Sequence, residues 1–226
     1  MVVRQWPRHP AVPYVGPFVV FALLLYLLPR LNLPVRAALL LWILACGAAV
    51  LAWSRDVLEF TPARPVLGIL LGVATFFLWI APDALFPAWR SHWLFTNSLF
   101  GSPRGSLSAA ALADPVSLAL RTIRAVLIVP VVEELFWRGW LMRWLIDQDF
   151  RRVRLGAFTI TSFSLTALFF ALEHGPYWDV GLVTGAIYNY WMVKTGRLSD
   201  LILVHAVTNA CLCAYVIGWG RWEYWL

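Results

Sequence analysis

Three charged side chains stand together in a stretch of sequence that is otherwise apolar. Glu133, Glu134 and Arg138 lie between Arg124 and Arg143. Glu134 and Arg138 are separated by four positions, the spacing at which a glutamate and a following arginine pair on one face of a helix. Glu133 lies about 100° around the same helix and has no partner nearby in sequence. A desolvated carboxylate without a partner is suited to act as a general base.

Two further apolar segments carry polar side chains that could join this carboxylate. His174 ends one segment, and His205 and Asn209 have the spacing of one helical face in the other. An ionisable group at the bilayer centre costs at least about 2.5–3.5 kcal/mol on insertion scales, so such groups face the protein interior. We therefore expect Glu133, His174, His205 and Asn209 to share one site.

The chemistry of this set fits amide hydrolysis. Glutamate and histidine in a partly dry cavity can deprotonate water, and the other histidine and the asparagine can donate hydrogen bonds to an oxyanion. Glu133, His174 and His205 could instead bind zinc as a His₂Glu site with an open position. A buried network that only fixes helix packing is the structural alternative. The GxSxG, HExxH, GxxxxGK[ST] and GxGxxG motifs are absent from the sequence.

The composition disfavours a soluble globular protein and excludes a disordered or fibrous one. The 226 residues are 61% hydrophobic and 13% charged, with a mean hydropathy of +0.73, whereas soluble domains carry about 25% charged residues. The net charge of +6 comes from arginines scattered between apolar runs, which is typical of residues flanking membrane segments rather than of nucleic-acid binding. Cys46, Cys211 and Cys213 lie within apolar runs and do not indicate a disulfide framework.

The charge-free intervals predict an all-α, polytopic transmembrane helix bundle. Five of these intervals have 18 to 20 residues, close to the length of about 20 that crosses a bilayer, and the interval 180–193 is shorter, with 14 residues. Asp114 and Pro115 predict the start of a further span that carries the charged residues and continues beyond Arg138. The bundle has about seven spans, with an eighth possible. The intervals are 11–28, 37–54, 65–82, 155–172, 180–193 and 201–220.

The predicted organisation has two parts. Residues 1–114 form a three-helix membrane region whose loop 83–114 is an interfacial helix with a flexible link, or a lid. Residues 115–226 form a four-helix core that carries the polar set. Glycine pairs at positions 68/72 and 181/185 indicate close helix packing. The basic residues favour a cytoplasmic N-terminus. Arg121 and Arg124 count as charges that flank a span on the other side of the membrane. The basic residues predicted on the same side of the membrane as the N-terminus are Arg4, Arg8, Arg55, Arg64, Arg143, Arg151, Arg152, Arg154, Lys194 and Arg197.

Three short motifs resemble those of the CAAX prenyl protease and bacteriocin-processing (CPBP, or Abi) family. Residues 133–138, Glu-Glu-Leu-Phe-Trp-Arg, resemble its EExxxR motif. Residues 170–174 resemble its FxxxH motif, and residues 205–209 resemble its HxxxN motif. The order and the spacing also match. The resemblance covers roughly residues 115–215, so that the core 115–226 is CPBP-like and the first three helices lie outside it.

The resemblance implies an intramembrane endopeptidase that acts on a membrane-associated peptide or protein. In such a protein the first glutamate and the FxxxH histidine, here Glu133 and His174, activate water. The last histidine and asparagine, His205 and Asn209, stabilise the oxyanion. The supporting residues would be Glu134 and Arg138. The family has been described both as metalloproteases and as metal-independent glutamate proteases; we favour the glutamate mechanism without a cofactor, with zinc as the alternative.

A narrower resemblance concerns residues 133–139 and 219–225. These runs look like those of bacterial CAAX-protease-related proteins associated with exosortase and PEP-CTERM sorting, which implies the bacterial inner membrane and a substrate that is not prenylated. Two non-proteolytic alternatives stay open: a membrane scaffold or immunity factor that uses the same polar core for binding, and a proton-coupled transporter. The absence of an inverted repeat disfavours the transporter.

Overall fold

The computed structural model describes residues 9–225, and this part of the chain contains seven helices of 14 residues or more. We number them α1 to α7. A single helical turn, Ala109–Leu112, precedes α4. The seven helices are Val12–Arg30, Val35–Ser54, Pro65–Leu85, Pro115–Trp144, Ile160–Glu173, Trp178–Thr195 and Leu198–Trp219.

The predicted class, an all-α polytopic membrane bundle, is confirmed. Within residues 9–225, five helices are long and apolar enough to cross a membrane: α1 to α4 and α7. The helix α5 is apolar but has only 14 residues. The number of seven spans therefore stays a prediction, as does the division into two parts at residue 115. Of the arginines used to predict the orientation, Arg4 and Arg8 lie outside the described residues.

The helix α4 begins where the sequence predicts and continues beyond Arg138. The Asp114 carboxylate caps it by accepting hydrogen bonds from the backbone N–H groups of Val116 and Ser117. Arg36 of α2 donates two further bonds of 2.7 Å to this carboxylate and holds the pKa of Asp114 well below its ordinary value. The cap thus also fixes α4 against α2.

Two π-helical segments interrupt α4, and nothing in the sequence predicted them. They span Arg124–Ile128 and Leu135–Leu141. Between them lies an α-helical stretch, Val129–Glu134, that ends on the two adjacent glutamates. A π-segment changes the angular phase of the residues that follow, and such segments are frequent at functional sites.

Glycines allow close approach between two pairs of helices, as the sequence predicts. A Cβ atom on Gly72 of α3 would lie 2.7 Å from the backbone oxygen of Val204 in α7. A Cβ atom on Gly185 of α6 would lie 3.1 Å from Cα of Ala167 in α5. These contacts hold α7 and α5, which carry the two histidines, tightly within the bundle.

The fifth helix begins later than the charge-free interval from residue 155 suggested. Thr159 and Ser162 form a capping box, in which each side chain bonds the backbone N–H of the other, and α5 therefore begins at Ile160. Before it, Gly156 has a φ of 80°, a conformation that glycine adopts without steric cost. The predicted start was wrong because local capping decides where a helix begins, whereas the absence of charge does not.

The connection between α3 and α4 contains no extended interfacial helix. Its regular structure is limited to the 3₁₀ turn Trp89–Ser91, an isolated bridge between Asn97 and Gly101, and the turn before α4. The Arg90 side chain fastens it by ion pairs with Asp83 and Asp179. The segment is a folded loop packed on one end of the bundle.

Candidate active site

A cavity of about 240 Å³ lies between the helices. Its walls include all four side chains that the sequence assigned to one site: Glu133 from α4, His174 at the end of α5, and His205 and Asn209 from α7. Glu133 and His205 are buried, whereas His174 and Asn209 are partly exposed. The structure thus brings together residues separated by as many as 76 positions in sequence.

Glu134 is completely buried and fully engaged. Arg138 donates from Nη1 to both of its carboxylate oxygens, at 3.2 and 3.1 Å. The Nδ1 atom of His205 lies 2.8 Å from Oε1 of the same carboxylate. The pairing with Arg138 was predicted, but the contact with His205 was not. Glu134 therefore links two of the three sequence motifs directly.

Arg138 is held from the other side by α6. Its Nε donates to Oδ1 of Asn189 at 2.8 Å, and its Nη2 donates to the Gly185 carbonyl at 3.2 Å. The Asn189 amide in turn donates to the Phe163 carbonyl of α5. Sequence reasoning missed Asn189, although an asparagine in the middle of an apolar helix is itself a signal of a buried hydrogen-bonding role.

Glu133 differs sharply from its neighbour. Its side chain is 4% exposed. Its Oε2 atom is buried and has no hydrogen-bond partner among the residues that the structure describes. A buried polar atom without a partner is rare and calls for an explanation such as a catalytic role or a bound molecule. Adjacent glutamates of the same helix thus occupy opposite environments, one saturated and one open.

Both histidines use Nδ1 for a structural contact. Nδ1 of His174 lies 2.7 Å from the carbonyl oxygen of Phe170, one turn earlier in α5. A carbonyl or carboxylate oxygen can only accept, so Nδ1 carries the proton in His174 and in His205 alike. This leaves Nε2 of each ring available to a substrate or a water molecule. The ring of His174 also packs against Trp79, with centroids 5.1 Å apart.

The asparagine of the third motif is fixed by α4. Its Nδ2 donates to the Ala125 carbonyl at 2.8 Å, and Ala125 lies in the first π-segment. One N–H of the Asn209 amide is thereby used and the second is left for another acceptor. The π-segment, which the sequence did not reveal, contributes directly to positioning this residue.

Three further charged residues line the cavity and were not assigned to the site. Glu173, next to His174, accepts a hydrogen bond of 3.1 Å from the Trp137 indole. Arg121 and Arg124 were interpreted as charges flanking a span, but they line the same cavity. That interpretation was wrong because α2 packs against this part of α4, with Trp42 over Arg124, which a count of charges along the chain cannot show.

The side chains do not form a ready metal site. Within residues 9–225, no three His, Cys, Asp or Glu side chains are grouped so that they could hold a metal ion. Nδ1 of His205 does contact the Glu134 carboxylate, and a carboxylate is the usual outer partner of a metal-bound histidine. Since the residues present do not form a three-ligand set, we derive no step through zinc.

The fold and the site define a helical membrane protein with a carboxylate, two histidines and an asparagine around an internal cavity. A comparison with protein families agrees with this class: residues 115–211 match the family described as Type II CAAX prenyl endopeptidase Rce1-like. This stretch contains all three motifs. Over these residues, which are less than half of the chain, the protein is similar to the CAAX protease (CPBP) family. No curated protein and no solved structure gave a significant match.

Proposed function

We propose that this protein is an intramembrane endopeptidase that hydrolyses a peptide bond of a membrane-associated protein or peptide. The observation that carries the proposal is the contrast between the two glutamates. Glu134 is saturated by Arg138 and His205, whereas Glu133 is buried beside it with an oxygen that has no partner and lines the cavity. A purely structural network would be expected to satisfy both carboxylates.

In the proposed reaction, Glu133 removes a proton from a water molecule in the cavity. His174 accepts a hydrogen bond from this water through Nε2, because its Nδ1 proton is committed to the Phe170 carbonyl. The oxygen of the water attacks the carbonyl carbon of the substrate and forms a tetrahedral intermediate. Glu133 then delivers the proton to the amide nitrogen, the C–N bond breaks, and a carboxylic acid and an amine are formed; the acid passes its proton to the amine, so that a carboxylate and an ammonium group are released.

The negative oxygen of the intermediate is stabilised from α7. Asn209 donates its second amide N–H, the first being held by Ala125. His205 donates from Nε2 when this atom is protonated, and Glu134 balances the resulting imidazolium charge at 2.8 Å. Donors fixed in advance stabilise an oxyanion without having to reorganise, which is the largest contribution in many hydrolases. In this scheme Arg138 and Asn189 are positioning residues.

The mechanism as proposed uses no metal ion. The substrate is a peptide or protein at the membrane, and the exosortase/PEP-CTERM sorting pathway is the proposed context, on the strength of the runs at 133–139 and 219–225. From that context we propose a location in a bacterial inner membrane, and from the basic residues we propose a cytoplasmic N-terminus. These statements rest on resemblance and on charge distribution.

A comparison of protein N-termini in cells tests the proposal and identifies the substrate. Membrane and secreted fractions are compared between the wild type, Glu133→Gln and a matched control, Glu59→Gln, whose side chain is 64% exposed and pairs with Arg197. We expect at least one new N-terminus in the wild type and the control that is absent from Glu133→Gln. Identical sets of N-termini in all three strains, at equal protein levels, would show that Glu133 does not serve proteolysis.

A further inference from the structure

The internal cavity meets the outside of the helix bundle at Glu173. Among the described residues that line the cavity, two are exposed: Glu173 at the end of α5 and Leu25 of α1. Both of these helices pack against α4, the helix that carries Glu133. The cavity therefore has a mouth between α1 and α5, with an apolar side chain on one rim and a carboxylate on the other.

The Glu173 carboxylate has a fixed orientation at this mouth. Its Oε2 atom accepts a hydrogen bond of 3.1 Å from the indole of Trp137, and Trp137 is buried in the second π-segment of α4. This bond holds the carboxylate against the helix that carries Glu133. A solvated glutamate at the end of a helix would have no such contact and would be free to turn away from the cavity.

The negative charge of Glu173 has no cationic partner of its own within residues 9–225. No described arginine, lysine or histidine forms an ion pair with it, and Arg138, whose charge reaches it, is already bound to Glu134. The carboxylate of Glu133, whose buried Oε2 is also without a described partner, lies close enough for the two charges to interact. Like charges repel strongly where water is excluded, and a cation beside them relieves the repulsion. The mouth is therefore suited to a positively charged group.

We propose that Glu173 binds the side chain of a lysine or an arginine in the peptide substrate, close to the bond that is cut. The inference rests on the proposed function, because Glu173 is adjacent to His174, which holds the attacking water in that scheme. The second oxygen, Oε1, accepts a charge-assisted hydrogen bond from the ammonium or guanidinium group. Leu25 on the opposite rim offers an apolar contact to the methylene stem of the same side chain. Glu173 is thus a specificity determinant.

A lipid headgroup offers the same positively charged amine. Phosphatidylethanolamine carries an ammonium group, but its phosphate follows within the same headgroup. Binding of this amine to Glu173 would bring the phosphate towards a mouth that already holds two carboxylates, Glu173 and Glu133. Repulsion between these negative charges disfavours the lipid. The side chain of a peptide brings the cation without an anion attached to it.

Binding is measured with purified Glu133→Gln protein, which also removes the charge of Glu133 and leaves that of Glu173 to be tested. The probe is acetyl-Leu-Ala-Lys-Ala-Leu-amide. A matched peptide carries Nε-acetyl-lysine in place of the lysine, and a third carries glutamate. We expect the lysine peptide to bind at least about tenfold more tightly than the acetyl-lysine peptide, the effect of one charge-assisted hydrogen bond, and the glutamate peptide to bind more weakly than both.

Further substitutions assign this preference to Glu173. Adding Glu173→Gln should abolish the difference between lysine and acetyl-lysine, and the protein should fold, because the amide oxygen can still accept from Trp137. Adding Glu173→Lys should reverse the preference, so that the glutamate peptide binds more tightly than the lysine peptide. A residue that only fixed α5 in place would not produce a reversal. Adding Glu59→Gln, whose side chain is 64% exposed, should leave the preference unchanged.

Four results would overturn the proposal. These are equal affinity for the lysine and acetyl-lysine peptides, no binding of the lysine peptide at all, an unchanged preference in Glu173→Gln, and a loss in Glu173→Gln of affinity for short-chain phosphatidylethanolamine but not for the lysine peptide. The last would assign the site to a lipid amine. None of these measurements involves cleavage, so a failure here is distinct from the absence of any N-terminus that depends on Glu133, which would refute the proposed function instead.

Discussion

The two adjacent glutamates should respond in opposite ways to the same substitution. Replacing Glu134 by glutamine removes the negative charge that Arg138 and His205 share. The amide retains one oxygen acceptor, but it turns an NH₂ group towards side chains that are themselves donors. Replacing Glu133 by glutamine removes no hydrogen bond of Oε2, because this atom has no partner within the described part of the chain.

The structure sets the size of both effects. The side chains of Glu134 and Arg138 are each 0% exposed, so no water can replace the lost charge. Breaking a buried ion pair by removing one partner costs about 3–5 kcal/mol. Arg138 keeps its bonds to Asn189 and Gly185, so we expect Glu134→Gln to fall near the lower end of that range. Glu133→Gln should change the free energy of unfolding by less than about 1 kcal/mol.

The assay is equilibrium unfolding of the purified variants in detergent, with the expression level and the melting temperature recorded alongside. We expect Glu134→Gln to be strongly destabilised and Glu133→Gln to be folded and inactive. Equal destabilisation by both substitutions would refute the reasoning, because it would make Glu133 a structural member of the network. A stable Glu134→Gln protein would show that Arg138 does not depend on this carboxylate.

Other predictions concern helix packing, the contact of Asn189 in α6 with Arg138, and metal dependence. Gly72→Ala should cost about 1–3 kcal/mol in an unfolding measurement, because its Cβ would lie 2.7 Å from the Val204 oxygen, whereas Gly47→Ala, with nothing within 4 Å, should be neutral. Asn189→Ala should destabilise by about 1–3 kcal/mol, since Arg138 Nε loses its acceptor. Cleavage should survive chelation, and elemental analysis should find no stoichiometric zinc; activity lost on chelation and restored only by zinc would replace the glutamate mechanism.

Much of the fold follows from composition and periodicity, because the cost of burying charge in a bilayer leaves few arrangements open. Asp114 and Pro115 marked the start of α4, and the glycine pairs marked two close helix contacts. The late start of α5 depended on the capping box at Thr159, a local signal that charge-free intervals ignore. The π-segments of α4 had no recognisable signal in the sequence.

The sequence predicted which polar side chains share the cavity, because such groups in apolar spans face the protein interior, but it predicted only the local contacts among them. The pairing of Glu134 with Arg138 follows from a spacing of four residues. The contact between Glu134 and His205 joins residues 71 positions apart, and it depends on how α4 and α7 pack. The position of Arg124 was misinterpreted for the same reason, since this side chain packs on Trp42 of a different helix.

The most direct test of the account is a cleavage rate measured with the purified protein in lipid. The substrate is a peptide that spans the cleavage site identified by the comparison of N-termini, and wild type, Glu133→Gln and Glu59→Gln are compared at equal concentration of folded protein. We predict that Glu133→Gln is slower by at least about a hundredfold, the contribution of a general base, while Glu59→Gln equals the wild type. An unchanged rate in folded Glu133→Gln would contradict the central claim that this carboxylate activates water.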